Sequence, residues 1–284
     1  MIAIELARVY GFCPGVRRAV EMVEEHLRAR GPLATLGAIV HNARVVDRLA
    51  SLGAQGVSAL GEVTAPAVAI TAHGAGPDVV EAIRQRGLAL VDTTCPIVKR
   101  AQEEAHRLSG EGFTVLIYGE ATHPEVQGLL AWTGGEGHAT LIPTDAPPAR
   151  GGRLAIVSQT TKEREAFWEF VQAVVGRNRS VLRELQVVDT TCPETGRRYR
   201  AAQDLARRVE AIFVVGSRNS ANTRRLAEVV RATGVPTHFI ESEEEISPGS
   251  LQGITQVGVT AGASTPDEAV QAVIARLREW GGET

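Results

Sequence analysis

Two hydrophobic periods alternate along this chain, and their succession comes round three times. A β-like run (Ile2 to Val9, Leu88 to Val91, Val181 to Val188) leads into a Cys-Pro pair, and a stretch of helical period follows. After Cys13 the positions Val16, Ala19, Val20, Val23 and Leu27 share one face. Ile97, Val98, Ala101, Ala105 and Leu108 do so after Cys95, and Tyr199, Ala202, Leu205, Ala206 and Val209 after Cys192. In the first third, Leu33 to Leu36 reads as a strand, Val45 to Leu52 as a helix ended by Gly53, and a further strand is expected near Val57. Ala67 to Thr71 is then a strand running into His73-Gly74 and a helix through Val79, Val80 and Ile83. In the second, Thr114 to Tyr118, Ala139 to Ile142 and Arg153 to Val157 are strands, and Pro124 to Trp132 and Arg164 to Val175 helices. In the third, Ala211 to Val215, His238 to Ile240 and Gln256 to Thr260 are strands; helices pass through Leu226 and Val230 and from Pro266 to Trp280.

The words at the junctions repeat as well. Val91-Asp92-Thr93-Thr94-Cys95-Pro96 returns as Val188-Asp189-Thr190-Thr191-Cys192-Pro193, and more faintly as Tyr10-Gly11-Phe12-Cys13-Pro14. Counting 28 positions on from each cysteine gives His41, His123 and Ser220. The chain therefore reads as three repeated α/β units, 1–90, 91–187 and 188–284, with mostly parallel, doubly wound sheets. In such sheets the ligand edge is the carboxyl end of the strands, where loops enter helix N-termini. Each unit brings to that edge a cysteine, the residue 28 positions on, and a third polar tip: His73, Thr160 with Thr161, or Ser264.

Charge removes several classes of partner. A net charge of -3 and a pI near 6.2 give no electrostatic case for nucleic acid or an anionic membrane. The basic clusters Arg197 to Arg200 and Arg224-Arg225 read as solvated helix faces, and the acidic run Glu241 to Glu245 as a solvated connection. No apolar run approaches ~18 residues, and Met1 opens straight into a strand-like run, so a soluble, cytoplasmic protein is expected.

Proline suits the first helical position, so each cysteine is expected at a helix N-cap, where the dipole favours thiolate. Zinc with three Cys and one of His41, His73 or His123 is one reading. An iron-sulfur cube, which normally takes four cysteines, is another; three would leave one iron open to substrate. Neutral donors at helix N-termini, Asn42, Ser220, Asn222 and Ser264, together with the histidines, suit a diphosphate. Each also reads as an ordinary N-cap. Glu125, two residues after His123, is the candidate proton carrier beside such a site. His73-Gly74-Ala75-Gly76 is only a fragment of a dinucleotide loop and no Walker A sequence is present, so electrons must come from another protein.

These residues resemble a known family, the 4-hydroxy-3-methylbut-2-enyl diphosphate reductases of the non-mevalonate isoprenoid pathway. The resemblance runs in order through Gly11-Phe12-Cys13-Pro14-Gly15-Val16, Ile39-Val40-His41-Asn42, Ala72-His73-Gly74, Asp92 to Pro96 and His123-Pro124-Glu125-Val126. It continues through Ser158-Gln159-Thr160-Thr161, Gly216 to Ser220 and Thr260 to Ser264. It implies a trefoil of three α/β units around a 4Fe-4S cluster held by Cys13, Cys95 and Cys192, with the substrate hydroxyl at the open iron. It also implies that His41, His73, His123, Ser220, Asn222 and Ser264 hold the diphosphate, and that Glu125, aided by Thr160, supplies the proton. The implied products are isopentenyl and dimethylallyl diphosphates, and the implied donor is reduced ferredoxin or flavodoxin. Thr161 lies among the candidate substrate residues by its position.

Two departures from the family pattern stand out. Glu194 brings a carboxylate close behind Cys192, which would lower a cluster's potential if unscreened, whereas Thr195 keeps its place. Ala221 stands where some members have a second serine, leaving its backbone N–H to bind. The competing readings are a sensor or carrier with a closed iron-sulfur or zinc site, and an open-iron hydro-lyase working without net electron transfer.

Overall fold

A computed structural model describes residues 2–281 and gives an α/β protein with three four-stranded parallel sheets among the described residues. In chain order the elements begin with β1 (Ala3–Leu6), α1 (Pro14–Arg30), β2 (Leu33–Leu36), α2 (Ala43–Ser51), β3 (Ala54–Val57), β4 (Ala67–Ile70), α3 (Pro77–Gln85) and β5 (Ala89–Asp92). There follow α4 (Pro96–Gly110), β6 (Thr114–Tyr118), α5 (Pro124–Trp132), β7 (His138–Thr140), β8 (Arg153–Ser158), α6 (Arg164–Asn178) and β9 (Glu184–Val187). The last are α7 (Pro193–Ala206), β10 (Ala211–Val215), α8 (Ala221–Arg231), β11 (Thr237–Ile240), β12 (Gln256–Ala261) and α9 (Asp267–Gly281).

The described chain divides into two compact units. One gathers the chain up to Arg17, Val40–Leu49 and the chain from Glu194 on; the other gathers Arg18–Ile39 and Ala50–Pro193.

The first unit holds the sheet β1-β12-β10-β11. Its central strand β10, Ala-Ile-Phe-Val-Val, is buried throughout, the unbroken apolar run expected of a parallel strand covered on both faces. Val270, Val273, Ile274 and Leu277 of α9 pack on one side with Phe213 and Val259. Ala202 and Leu205 of α7 and Leu226 and Val230 of α8 pack with Ile212 and Val214 on the other.

The second unit holds β3-β2-β4-β5 and β7-β6-β8-β9. Val68, Ile70 and Ile83 centre the core of the former. The latter lies between Ala105, Leu108, Val126 and Leu129 of α4 and α5 and Phe167, Phe170 and Val174 of α6.

All three sheets share one plan, and it shows how the repeat is built. The first strand (β2, β6, β10) sits between the second and the third, and the third pairs outward with a fourth strand that leads into a cysteine. In the last sheet that fourth place is taken by β1, parallel to β12 from Ala3 opposite Gln256 to Leu6 opposite Val259. The sheet of β6 to β9 lies wholly within 91–187 and β5 straddles residue 90, so β1 is the strand that joins the sheet of another third.

Elsewhere the elements depart from the periodicity at their ends. β1 stops at Leu6, and β7 covers His138–Thr140, with Leu141 and Ile142 left outside it. Among the described residues no helix is long and apolar enough to cross a membrane.

Candidate functional site

The repeated Asp-Thr-Thr-Cys-Pro words are small machines for aiming a cysteine. Asp92 Oδ1 accepts the Thr94 N–H (3.0 Å) and hydroxyl (2.5 Å), an Asx turn that bends the chain out of β5. Asp189 does the same for Thr191 at 3.0 and 2.5 Å. The buried hydroxyls one position earlier tie the turn to the neighbouring strand: Thr93 Oγ1 donates to the Ile70 carbonyl (2.5 Å) and Thr190 Oγ1 to the Ser158 carbonyl (2.6 Å). Thr190 Oγ1 also accepts the Ser158 N–H at 2.8 Å. In the Cys13 repeat both jobs are lost, and Gly11 turns the chain instead with φ +66°, a conformation open to glycine.

The three cysteines nevertheless share one backbone anchor. Each N–H donates to a carbonyl two residues past the end of a third strand: Cys13 to Ala263 (3.2 Å), Cys95 to Ala72 (3.1 Å) and Cys192 to Thr160 (2.6 Å). Each cysteine precedes a helix that opens with proline, is partly exposed and is in no disulfide. The Val16 N–H points at Cys13 Sγ (3.4 Å), the polarity that favours thiolate. Among the described residues no three of His, Cys, Asp and Glu converge on a point that could hold one metal ion. A cluster, whose cysteines bind different irons, needs no such convergence, and three helix-terminal thiols fit that donor set.

In the second unit α5 carries the candidate proton residue Glu125, and His123 caps it. Nδ1 of His123 accepts the Glu125 N–H (3.1 Å), which leaves the proton of the neutral ring on Nε2. The His73 ring stands edge-on to it, 5.2 Å between centroids. Glu125 points inward and is only 1% exposed. Its Oε1 accepts the Thr160 N–H (2.6 Å) and its Oε2 meets the Thr160 hydroxyl (3.0 Å). Burial pushes this carboxyl up to about 7, against the opposing pull of the Thr160 bonds and the Lys162 charge. Thr161 is placed by Gln159, whose Nε2 donates to its hydroxyl (3.1 Å) and whose Oε1 accepts the Glu120 N–H (3.1 Å). Gln159 and Lys162 are not legible as site residues from the sequence, although they flank the Thr160-Thr161 pair.

The first unit carries Cys13, His41, Ser220, Ala221, Asn222 and Ser264. Ser220 caps α8, its Oγ accepting the Thr223 N–H (3.3 Å), and Asn42 caps α2 through the Val45 N–H (3.3 Å). Both are N-caps, and a capping hydroxyl or amide still has N–H or O–H groups to donate. His41, at the spacing of His123 and Ser220, stands one residue outside its cap and is exposed. Ala221 and Asn222 open α8, where first-turn N–H groups have no intrahelical acceptor. Ser264 follows the carbonyl that anchors Cys13, and its Oγ is buried with no hydrogen-bond partner among the described residues.

One surface reading, that of Arg198, is corrected here, and two others gain named partners. The acidic run is a clamp: Glu241 accepts the Arg218 N–H (2.7 Å) and pairs with its guanidinium, Glu245 also pairs with Arg218, and Glu243 with Arg44 (2.8 Å). It fixes the loop ahead of Ser220, which composition alone does not reveal. Arg198, assigned to a solvated face, is buried and donates to the Ala261 carbonyl at 2.7 Å, since the α7 face carrying it turns to the end of β12. Glu194 is paired with Arg197 at 2.8 Å and is screened.

Parallel sheets whose carboxyl-edge loops carry helix-terminal thiols, neutral anion donors and a proton-holding carboxyl define an α/β protein suited to chemistry on an anionic ligand. The chain belongs to the LytB protein family, whose model matches residues 4–278. A relative from Dehalococcoides mccartyi is 41% identical over 276 residues, 96% of this chain and 97% of that one. One from Geobacter metallireducens is 38% identical over 97% of each chain. Both are named 4-hydroxy-3-methylbut-2-enyl diphosphate reductase. A solved structure of (E)-4-hydroxy-3-methyl-but-2-enyl diphosphate reductase, the terminal enzyme of the non-mevalonate pathway, matches with TM-score 0.79 and 38% identity. The match covers 98% of this chain and all of that one. A Plasmodium falciparum reductase, 24% identical, shares the fold with TM-score 0.87 over 98% of this chain and 88% of its own.

Proposed function

We propose that this chain reduces 4-hydroxy-3-methylbut-2-enyl diphosphate to isopentenyl and dimethylallyl diphosphates. Two electrons and two protons enter; one proton leaves with the hydroxyl as water and the other stays on carbon. The observation that carries the reading is the Glu125 carboxyl, buried yet bonded to Thr160, on a chain that is a LytB protein over nearly its whole length. Such a group holds its proton near neutrality and can surrender it in the dry surroundings of a reacting hydroxyl.

Cys13, Cys95 and Cys192, one from each of the thirds 1–90, 91–187 and 188–284, would hold a 4Fe-4S cluster; their equivalent anchoring and helix-terminal polarity support this. Such a cluster would pass on electrons and provide a Lewis acid for the hydroxyl. His41, His73, His123 through Nε2–H, Thr161, Ser220, the Ala221 N–H, Asn222 and Ser264 would bind the diphosphate and orient the allylic chain. Thr160 would hold the Glu125 carboxyl and the substrate hydroxyl in one hydrogen-bonded line, so that the proton moves along it. Reduced ferredoxin or flavodoxin would deliver the electrons, in the cytoplasm.

The test is anaerobic oxidation of reduced methyl viologen on adding 4-hydroxy-3-methylbut-2-enyl diphosphate to reconstituted protein. Oxidation that requires both the substrate and Glu125 is expected. Its absence from protein with an intact cluster would leave the fold shared and the chemistry not.

A further inference from the structure

The loop from His73 to Gly76 belongs to the first repeat, yet it is held by helices of the second, within the same compact unit. It lies along α5. At the N-terminal end the His73 ring meets His123, 5.2 Å between centroids. In the middle, a Cβ on Gly128 would stand 3.7 Å from the Ala75 carbonyl carbon, so Gly128 brings α5 close to the loop backbone. At the far end Trp132 Nε1 donates to the Ala75 carbonyl at 3.0 Å, and Gln102 Nε2 of α4 adds a second, longer bond to it at 3.4 Å. The His106 ring stands edge-on to the indole, ring centroids 5.7 Å apart.

Both glycines of the loop answer to this packing. Gly74 has φ +76°, and a Cβ there would collide with the Gln102 amide; one on Gly76 would come within 2.6 Å of the Ala131 methyl. The loop backbone therefore packs closely on α4 and α5 where the two donors hold its carbonyl. α5 also carries Glu125, so fixing Ala75 to Trp132 fixes His73 relative to the proton-holding carboxyl.

We infer that Trp132 and Gln102 are positioning residues which, through the Ala75 carbonyl, set His73 for the substrate diphosphate. The inference rests on the reading that His73 binds that group. A positioning role predicts weaker substrate capture with the chemical step kept, whereas general loosening of the fold lowers the active fraction and leaves KM alone.

The experiment measures kcat, KM and iron content for Trp132→Phe, Gln102→Leu, their combination and His73→Asn, with reduced methyl viologen as donor. Each single donor loss should raise KM by about fivefold and the double loss by on the order of 50-fold, because the second removal leaves a part-buried carbonyl with neither side-chain donor. kcat and iron should change little. Unchanged KM in Trp132→Phe and in the double variant, with KM raised in His73→Asn, would overturn the positioning role and leave the substrate reading intact. An unaffected His73→Asn would remove His73 from the diphosphate, and the inference with it. Losses confined to kcat and iron content would mark these residues as structural only and also overturn it. Trp132→Phe keeps the ring packing, so it decides the matter alone if the double variant fails to fold.

Discussion

Glu125 owes its burial to where α5 begins. Proline at 124 starts the helix, His123 closes its N-terminus, and the first turn then points the Glu125 side chain into the protein, onto Thr160. The folded carboxyl titrates near 7 against an ordinary 4.5, so the folded state binds its proton more tightly than the unfolded chain. The sign follows: the stability tied to this proton is present below about pH 4.5 and is lost as pH rises through about 7. Glu125→Gln has no proton to lose, so it should melt above the natural protein at pH 8, the two converging below about pH 5. A natural protein that gained on the variant between those pH values would contradict the burial account. In turnover the same variant should lose ~10² to 10⁴-fold with iron content kept. Near-normal rates would take Glu125 out of proton delivery.

The strand-to-helix junction is the element on which the site depends, and much of it is legible in the sequence. β6 (Thr114–Tyr118), α5 (Pro124–Trp132) and β10 (Ala211–Val215) fall where the apolar pattern places them, because each is bounded by a turn or a helix-opening proline. What the Asp-Thr-Thr words do is not legible, since hydrogen bonds from Thr93 to Ile70 and Thr190 to Ser158 span 23 and 32 residues. The pairing of β1 with β12 is hidden for the same reason: alternation tells which face of a strand is buried, never which strand lies beside it. Arg198 and the acidic partners of Arg218 escape a reading by composition, because charge content says nothing of the carbonyl or carboxylate waiting for each arginine. The junction makes a prediction of its own. Thr190→Val removes two bonds to Ser158 and should cost about 2–4 kcal/mol, Thr93→Val roughly half as much, read as shifts in urea midpoint at constant m. If the costs came out equal, the second Ser158 bond would contribute nothing.

Across the whole chain, stability and chemistry draw on different atoms. The three sheets are held by aliphatic and aromatic cores such as Val68 with Ile83, Leu116 with Phe167, and Phe213 with Val259. The three cysteines stand outside those cores, partly exposed and in no disulfide. Replacing a cysteine by serine removes a soft ligand without opening a cavity, and the main-chain anchor to Ala263, Ala72 or Thr160 needs no sulfur. Each of Cys13→Ser, Cys95→Ser and Cys192→Ser should therefore keep native circular dichroism while losing the iron and the charge-transfer absorbance of the reconstituted protein. A cluster shared by three repeats also predicts that the three losses are alike, because a cube deprived of any one thiolate keeps only two. Full iron in one variant would exclude that cysteine from the ligand set, and full iron in all three would refute a shared centre while leaving the parallel-sheet fold untouched.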